Sequence, residues 1–105
     1  MKVSPQYLDE IVERIVKTVS PLRIVLFGSA ARDVSGPASD LDVLVVMPEG
    51  THRRHTAQLL YERLYGIPVP VDIVVATPTD LDTHRDTIGL VYRSALREGR
   101  ELYAA

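Results

Sequence analysis

The stretch DLDVLVVM, residues 40–47, carries two carboxylates at its start and an unbroken apolar run behind them. Five consecutive apolar residues, Leu44 and the β-branched Val43, Val45 and Val46 among them, predict a strand over Asp40 to Met47 that is buried on both faces for most of its length. Side chains alternate along a strand, so Asp40 and Asp42 project from one face while Leu41 turns to the other. Two carboxylates so placed repel each other. At a polar strand end they suit a hard divalent cation, which takes oxygen ligands and keeps some of its waters. The bland alternative is a solvated turn in which Ser39 and Asp40 cap a loop.

Upstream lies a second strand, Leu22 to Phe27, with Ile24 and Val25 at its centre. It runs directly into Gly28-Ser29, followed by the helix formers Ala30, Ala31 and Arg32. A strand that hands over to a helix leaves backbone N–H groups and the positive end of the helix dipole free for an anion. Glycine lets a phosphate approach the backbone, and the Ser29 hydroxyl can add a hydrogen bond to it. An ordinary turn uses the same two residues. Between this junction and Asp40, residues 34–39 read VSGPAS, the composition of a loop.

Further out, Leu8, Ile11, Val12, Ile15, Val16 and Val19 follow helical spacing and predict a helix from Pro5 to Val19, with Ser4 as N-cap and Pro21 beyond its end. A second helix is predicted from Thr51 to Tyr65 through Ala57, Leu60, Tyr61 and Leu64, stopped by Gly66 and Pro68. A third strand follows at Val69 to Ala76. Thr77-Pro78 can open another helical segment, and Ile88, Val91, Tyr92, Ala95 and Leu96 mark a last helix closed by Gly99. The closing LYAA can extend the sheet or meet a partner. The predicted order is α, β, short α, β, α, β, α, which implies a central sheet covered by helices. Spacing alone leaves the strand directions open.

Asp72 sits inside VPVDIVV, where every neighbour is apolar or proline. A carboxylate buried in a strand interior is costly enough that such residues usually have a partner or a metal. If this strand pairs beside the Asp40 strand, three carboxylates converge, the arrangement that two-metal phosphoryl transfer requires.

Composition bounds the rest. The chain has 105 residues, enough for one domain, and no internal repeat or linker divides it, so 1–105 is read as a single unit. Hydrophobic residues make up 46% and charged residues 25%, which fits a folded globular protein. No cysteine is present, so a metal must sit on oxygen or imidazole. A net charge of -2 gives no sign of a broad basic surface, so unaided binding to long nucleic acid is not favoured by bulk electrostatics. No apolar run approaches the roughly 20 residues needed to span a bilayer, and MKVSPQYLDE has no signal core, so a cytoplasmic location is expected. His52 and His55, three apart on a helix and flanked by Arg53 and Arg54, read as a solvated polar face rather than a metal site, as does His84 beside Arg85. Tyr61, Tyr65 and Tyr92 read as packing groups at helical spacing, with Tyr103 as the exception.

Taken together, LFGSAAR, then a loop, then SDLDVLVV, then VDIVV resembles the minimal nucleotidyltransferase (MNT) family of the DNA polymerase β-like superfamily, whose signature is Gly-Ser followed after a loop by Asp-x-Asp. The resemblance spans nearly the whole chain. It implies an α/β nucleotidyltransferase fold with a small mixed central sheet flanked by helices. It implies Gly28, Ser29 and Arg32 at the nucleotide, and Asp40, Asp42 and Asp72 as the catalytic and metal-binding residues, holding two Mg²⁺ ions. In that scheme Asp40 and Asp42 bind both metals, and Asp72 binds the catalytic one and assists deprotonation of the acceptor hydroxyl. Family members often carry arginine or another large residue where Ala30 stands and glycine where Asp33 stands, so a phosphate contact is lost and a negative charge added near the nucleotide entrance.

Such domains are similar to antitoxins that pair with HEPN-domain toxins, some of which transfer AMP from ATP to a tyrosine of the toxin. The expected activity is therefore transfer of a nucleotide, AMP from Mg-ATP, to a hydroxyl of a HEPN-domain toxin or other small helical protein, in a homo- or hetero-oligomer. A domain this short builds no elaborate acceptor pocket, which also disfavours a small-molecule acceptor such as an aminoglycoside. The rival expectation is an antitoxin or binding module that neutralises its partner by occlusion with little or no catalysis.

Overall fold

A computed structural model of the chain describes residues 5–28, 41–84, 97 and 99–105. The first helix, α1 (Pro5–Val19), has the predicted bounds. It ends where Ser20 takes a left-handed conformation, φ 49°, with its N–H on the Val16 carbonyl at 3.1 Å, and Pro21 follows. Strand β1 (Arg23–Phe27) leads into Gly28, and β2 (Leu41–Val46) comes next among the described residues. Helix α2 (Arg53–Arg63), strand β3 (Val71–Ala76), helix α3 (Pro78–His84) and strand β4 (Arg100–Ala104) complete the order of elements among the described residues. The short helix expected after Gly28, the last helix expected through Ile88 to Leu96, and the Ser4 cap all lie outside the described residues.

The four strands form one mixed sheet in the order β3-β2-β1-β4. β1 is antiparallel to β2 and to β4, whereas β2 and β3 run parallel. The parallel pair requires a crossover, and α2 supplies it, so β2, α2 and β3 form a βαβ unit. At the other edge β4 slips one residue against β1, from Ile24↔Tyr103 to Val25↔Glu101. Leu102 is the extra residue of that bulge, and as a result both Leu102 and Tyr103 pack on the core. The closing residues thus extend the sheet, one of the two roles open to them from sequence.

Alternation along the strands separates two cores. On the first face Ile24 and Leu26, Leu41, Val43 and Val45, and Ile73 and Val75 meet Ile11 and Ile15 of α1 and Leu60 of α2. On the second face Val25, Phe27, Leu44, Val46 and Ala76 meet Leu81 of α3. β2 is buried at every position but Asp42, as its apolar run predicts. Each fully buried aliphatic side chain here contributes about 1.5–3 kcal/mol, which makes the central pair β1–β2 the rigid frame of the domain.

The helix ends have identifiable caps. His52, the residue preceding α2, turns its Nδ1 onto the His55 N–H at 3.1 Å, so this histidine is an N-cap and the helix begins two residues later than the spacing suggests. Thr77 and Asp80 form a reciprocal capping box on α3: the Asp80 carboxylate accepts from the Thr77 N–H at 3.0 Å, and the Asp80 N–H donates to the Thr77 hydroxyl at 3.3 Å. The α2 C-terminus is clamped by Arg14 of α1, whose Nη1 donates to the carbonyls of Arg63 and Tyr65, each at 3.1 Å.

Candidate functional site

Asp42 and Asp72 are register partners in the parallel β2–β3 pair. Each lies one residue inside the start of its strand, and the two-residue period puts both on the second face, in line with Leu44 and Val46 on β2 and with Val74 and Ala76 on β3. Asp42 is half-buried and Asp72 is exposed. The carboxylates therefore stand side by side where that apolar face gives way to an open, polar end.

The exposure of Asp72 differs from what its apolar neighbours suggest. β3 is an edge strand, and its burial falls off toward its start, with Val71 only half-buried while Val75 and Ala76 are buried. Val71 and Ile73 turn to the first core and leave Asp72 on the opposite, open side. What distinguishes this carboxylate is its neighbour across the ladder rather than burial.

Gly28 completes the described part of the site. Phe27 is the antiparallel partner of Asp42, so the chain leaves β1 beside that carboxylate. Gly28 has φ +75°, a left-handed conformation open to glycine, and a Cβ at this position would collide with Oδ2 of Asp42. The missing side chain makes room for the Asp42 carboxylate. Glycine at this junction thus has a role beyond the phosphate approach that sequence suggests.

Ser29, Arg32 and Asp40 lie outside the described residues, and their expected roles rest on the sequence. Among the described residues no third acidic or histidine side chain joins the pair in a group able to hold a metal. The donor set at hand is two carboxylates on adjacent strands, facing the same way at an open sheet end, with a backbone cradle at Gly28 kept clear for one of them. Oxygen donors of this charge and openness fit a hard divalent cation that retains waters, and Asp40 would add a further carboxylate two residues before Asp42. His52 and His55 stand at the other end of βαβ unit, where His52 caps α2, and they take no part in this constellation.

A mixed four-stranded sheet with acidic residues paired across β2 and β3, beside a glycine turn at the end of β1, defines a nucleotidyltransferase-type α/β domain. The sequence profile of the nucleotidyltransferase domain matches residues 8–100, and the chain belongs to that family. Solved structures share the fold. A candidate nucleotidyltransferase from Sulfolobus solfataricus superposes with a TM-score of 0.64 at 22% identity, covering 94% of this chain and 78% of that one. A mutant of the toxin–antitoxin complex MntA–HpeT gives a TM-score of 0.68 at 18% identity, covering 93% and 73%. A toxin–antitoxin structure with AMP-PNP gives 0.60 at 22% identity, also covering 93% and 73%. No functionally curated protein matches by sequence. Among the described residues no helix is long and apolar enough to cross a membrane.

Proposed function

We propose that this chain transfers AMP from ATP to a hydroxyl of a partner protein and serves as the antitoxin of a toxin–antitoxin pair, its partner a HEPN-domain toxin or similar small helical protein. The observation that carries the proposal is the register pairing of Asp42 with Asp72 beside Gly28 in a chain of the nucleotidyltransferase family. Similarity to two toxin–antitoxin structures, one of them with AMP-PNP, supports the partner class and the nucleotide.

In this reading Asp40, Asp42 and Asp72 hold Mg²⁺, with two ions at the site, while Gly28, Ser29 and Arg32 receive the triphosphate. Bound magnesium would neutralise phosphate charge and help align the attacking and leaving oxygens. The protein's own part is positioning. The acceptor oxygen attacks the α-phosphorus, the bond from that phosphorus to the bridging oxygen of the β-phosphate breaks, and pyrophosphate leaves. The acceptor proton passes to the Asp72 carboxylate, whose exposure leaves it reachable by a macromolecular acceptor.

The test is incubation of the chain with Mg²⁺ and ATP labelled at the α-phosphate, in the presence of a candidate small helical partner such as a HEPN-domain toxin. Label on the partner, lost when the label is moved to the γ-phosphate, supports adenylyl transfer. A stable complex that neutralises the partner with no label on it supports occlusion instead.

A further inference from the structure

Asp72 belongs to an edge strand, and its aim depends on whatever fixes that strand from outside. The β2–β3 ladder is flanked by the Leu41 N–H to Pro70 carbonyl bond at 2.9 Å and the Met47 N–H to Ala76 carbonyl bond at 2.8 Å. With the register Asp42↔Asp72, these bonds turn the backbone groups of the even-numbered β3 residues toward β2. The N–H of Ile73 consequently points away from the sheet. It donates to the phenol oxygen of Tyr61 on α2 at 2.9 Å. The peptide that joins Asp72 to Ile73 is thus held on one side by the ladder and on the other by a side chain.

Tyr61 is well placed to hold it. Its neighbour Leu60 is fully buried and Leu64, one turn on, is 6% exposed, so this part of α2 is anchored in the first core. The helix end just beyond is clamped by Arg14. Half of Tyr61 itself is open to solvent, so burial of the ring is not what its position secures.

We propose that Tyr61 is a positioning residue for Asp72, its phenol fixing the Asp72–Ile73 peptide so that the carboxylate meets Asp42 across the ladder at a divalent cation. This rests on the reading of Asp72 as a metal ligand. Groups that orient a metal ligand from behind cost about tenfold or more in metal affinity when removed. Tyr61→Phe keeps the ring and deletes only the acceptor.

The experiment measures Mn²⁺ affinity by electron paramagnetic resonance for the full chain, Tyr61→Phe and Asp72→Asn, and follows Ile73 amide exchange in the unaltered chain with and without Mg²⁺. Tyr61→Phe is expected to bind Mn²⁺ about tenfold more weakly. By linkage, Mg²⁺ should slow Ile73 exchange by a similar factor, a readout that holds even if the variant folds poorly. If Asp72→Asn loses Mn²⁺ while Tyr61→Phe binds like the unaltered chain and Ile73 exchange ignores Mg²⁺, Tyr61 is only a strand-edge cap and the proposal fails. If Asp72→Asn binds Mn²⁺ as well as the unaltered chain, the metal-ligand reading fails and the proposal falls with it.

Discussion

A side chain at Gly28 and the carboxylate of Asp42 would occupy the same space: a Cβ built on Gly28 overlaps Oδ2 of Asp42, and the glycine holds φ +75°. Gly28→Ala therefore meets two obstacles, a left-handed backbone and a displaced carboxylate. The left-handed conformation alone costs a non-glycine residue of order 1–3 kcal/mol. The variant is expected to melt lower and to lose nucleotide transfer by more than that instability explains, measured at a temperature where it remains folded. Unchanged transfer in a folded Gly28→Ala chain would show that Asp42 needs no such space.

The register pair Asp42–Asp72 makes a prediction about metal that is separate from turnover. A ligand that binds the native state alone raises stability with its concentration. Mg²⁺ should raise the melting temperature of the unaltered chain, and Asp42→Asn or Asp72→Asn should abolish that rise. Turnover should fall by about two orders of magnitude or more, the usual scale for removing a group that stabilises developing charge.

Acid should loosen the start of α3. Arg53 Nη1 donates to both oxygens of Asp80, at 2.7 and 2.6 Å, and together with the Thr77 N–H holds the Asp80 carboxyl below its ordinary value of 3.8. A carboxyl whose folded pKa is depressed contributes stability above its unfolded pKa and loses it as pH falls through the folded value. Asp80→Asn should thus melt below the unaltered chain at neutral pH, and the gap should narrow as pH drops below 3.8. Thermal melts across pH read this directly, and a gap constant down to strong acid would mean the ion pair contributes nothing.

Arg14 ties α1 to the end of α2 through two carbonyls and also pairs with Glu10 at 2.7 Å. Since its side chain is 33% exposed, Arg14→Ala should cost about 1–2 kcal/mol in denaturant unfolding rather than the full value of buried charged bonds. Hydrogen exchange should speed up over residues 63–67. Protection there equal to that of the unaltered chain would contradict the clamp.

Much of this architecture is legible in the residues. The apolar run behind Asp42 and the helical spacing from Leu8 to Val19 give β2 and α1 with bounds within a residue, because core burial imposes its period on the sequence. What pairs with what is less legible. Nothing local tells that β3 lies beside β2 with Asp72 opposite Asp42, since register depends on the βαβ crossover as a whole. The same limit explains Asp72, which apolar neighbours mark as buried although an edge strand leaves it open. Tyr61 and Tyr65 share the helical spacing of packing residues, yet one caps a strand edge and the other is 87% exposed past the helix end. Tyr65→Ala should accordingly change stability by no more than about 0.5 kcal/mol.

The most direct test of the central claim is pyrophosphate release from ATP in the presence of the partner, compared with and without Mg²⁺ for the unaltered chain and for Asp42→Asn. Release that needs Mg²⁺ and partner together, and that disappears in a folded Asp42→Asn chain, is the expected result. Release at the same rate from Asp42→Asn, or none from the unaltered chain bound to ATP and partner, would contradict a nucleotidyltransferase site built on the Asp42–Asp72 pair.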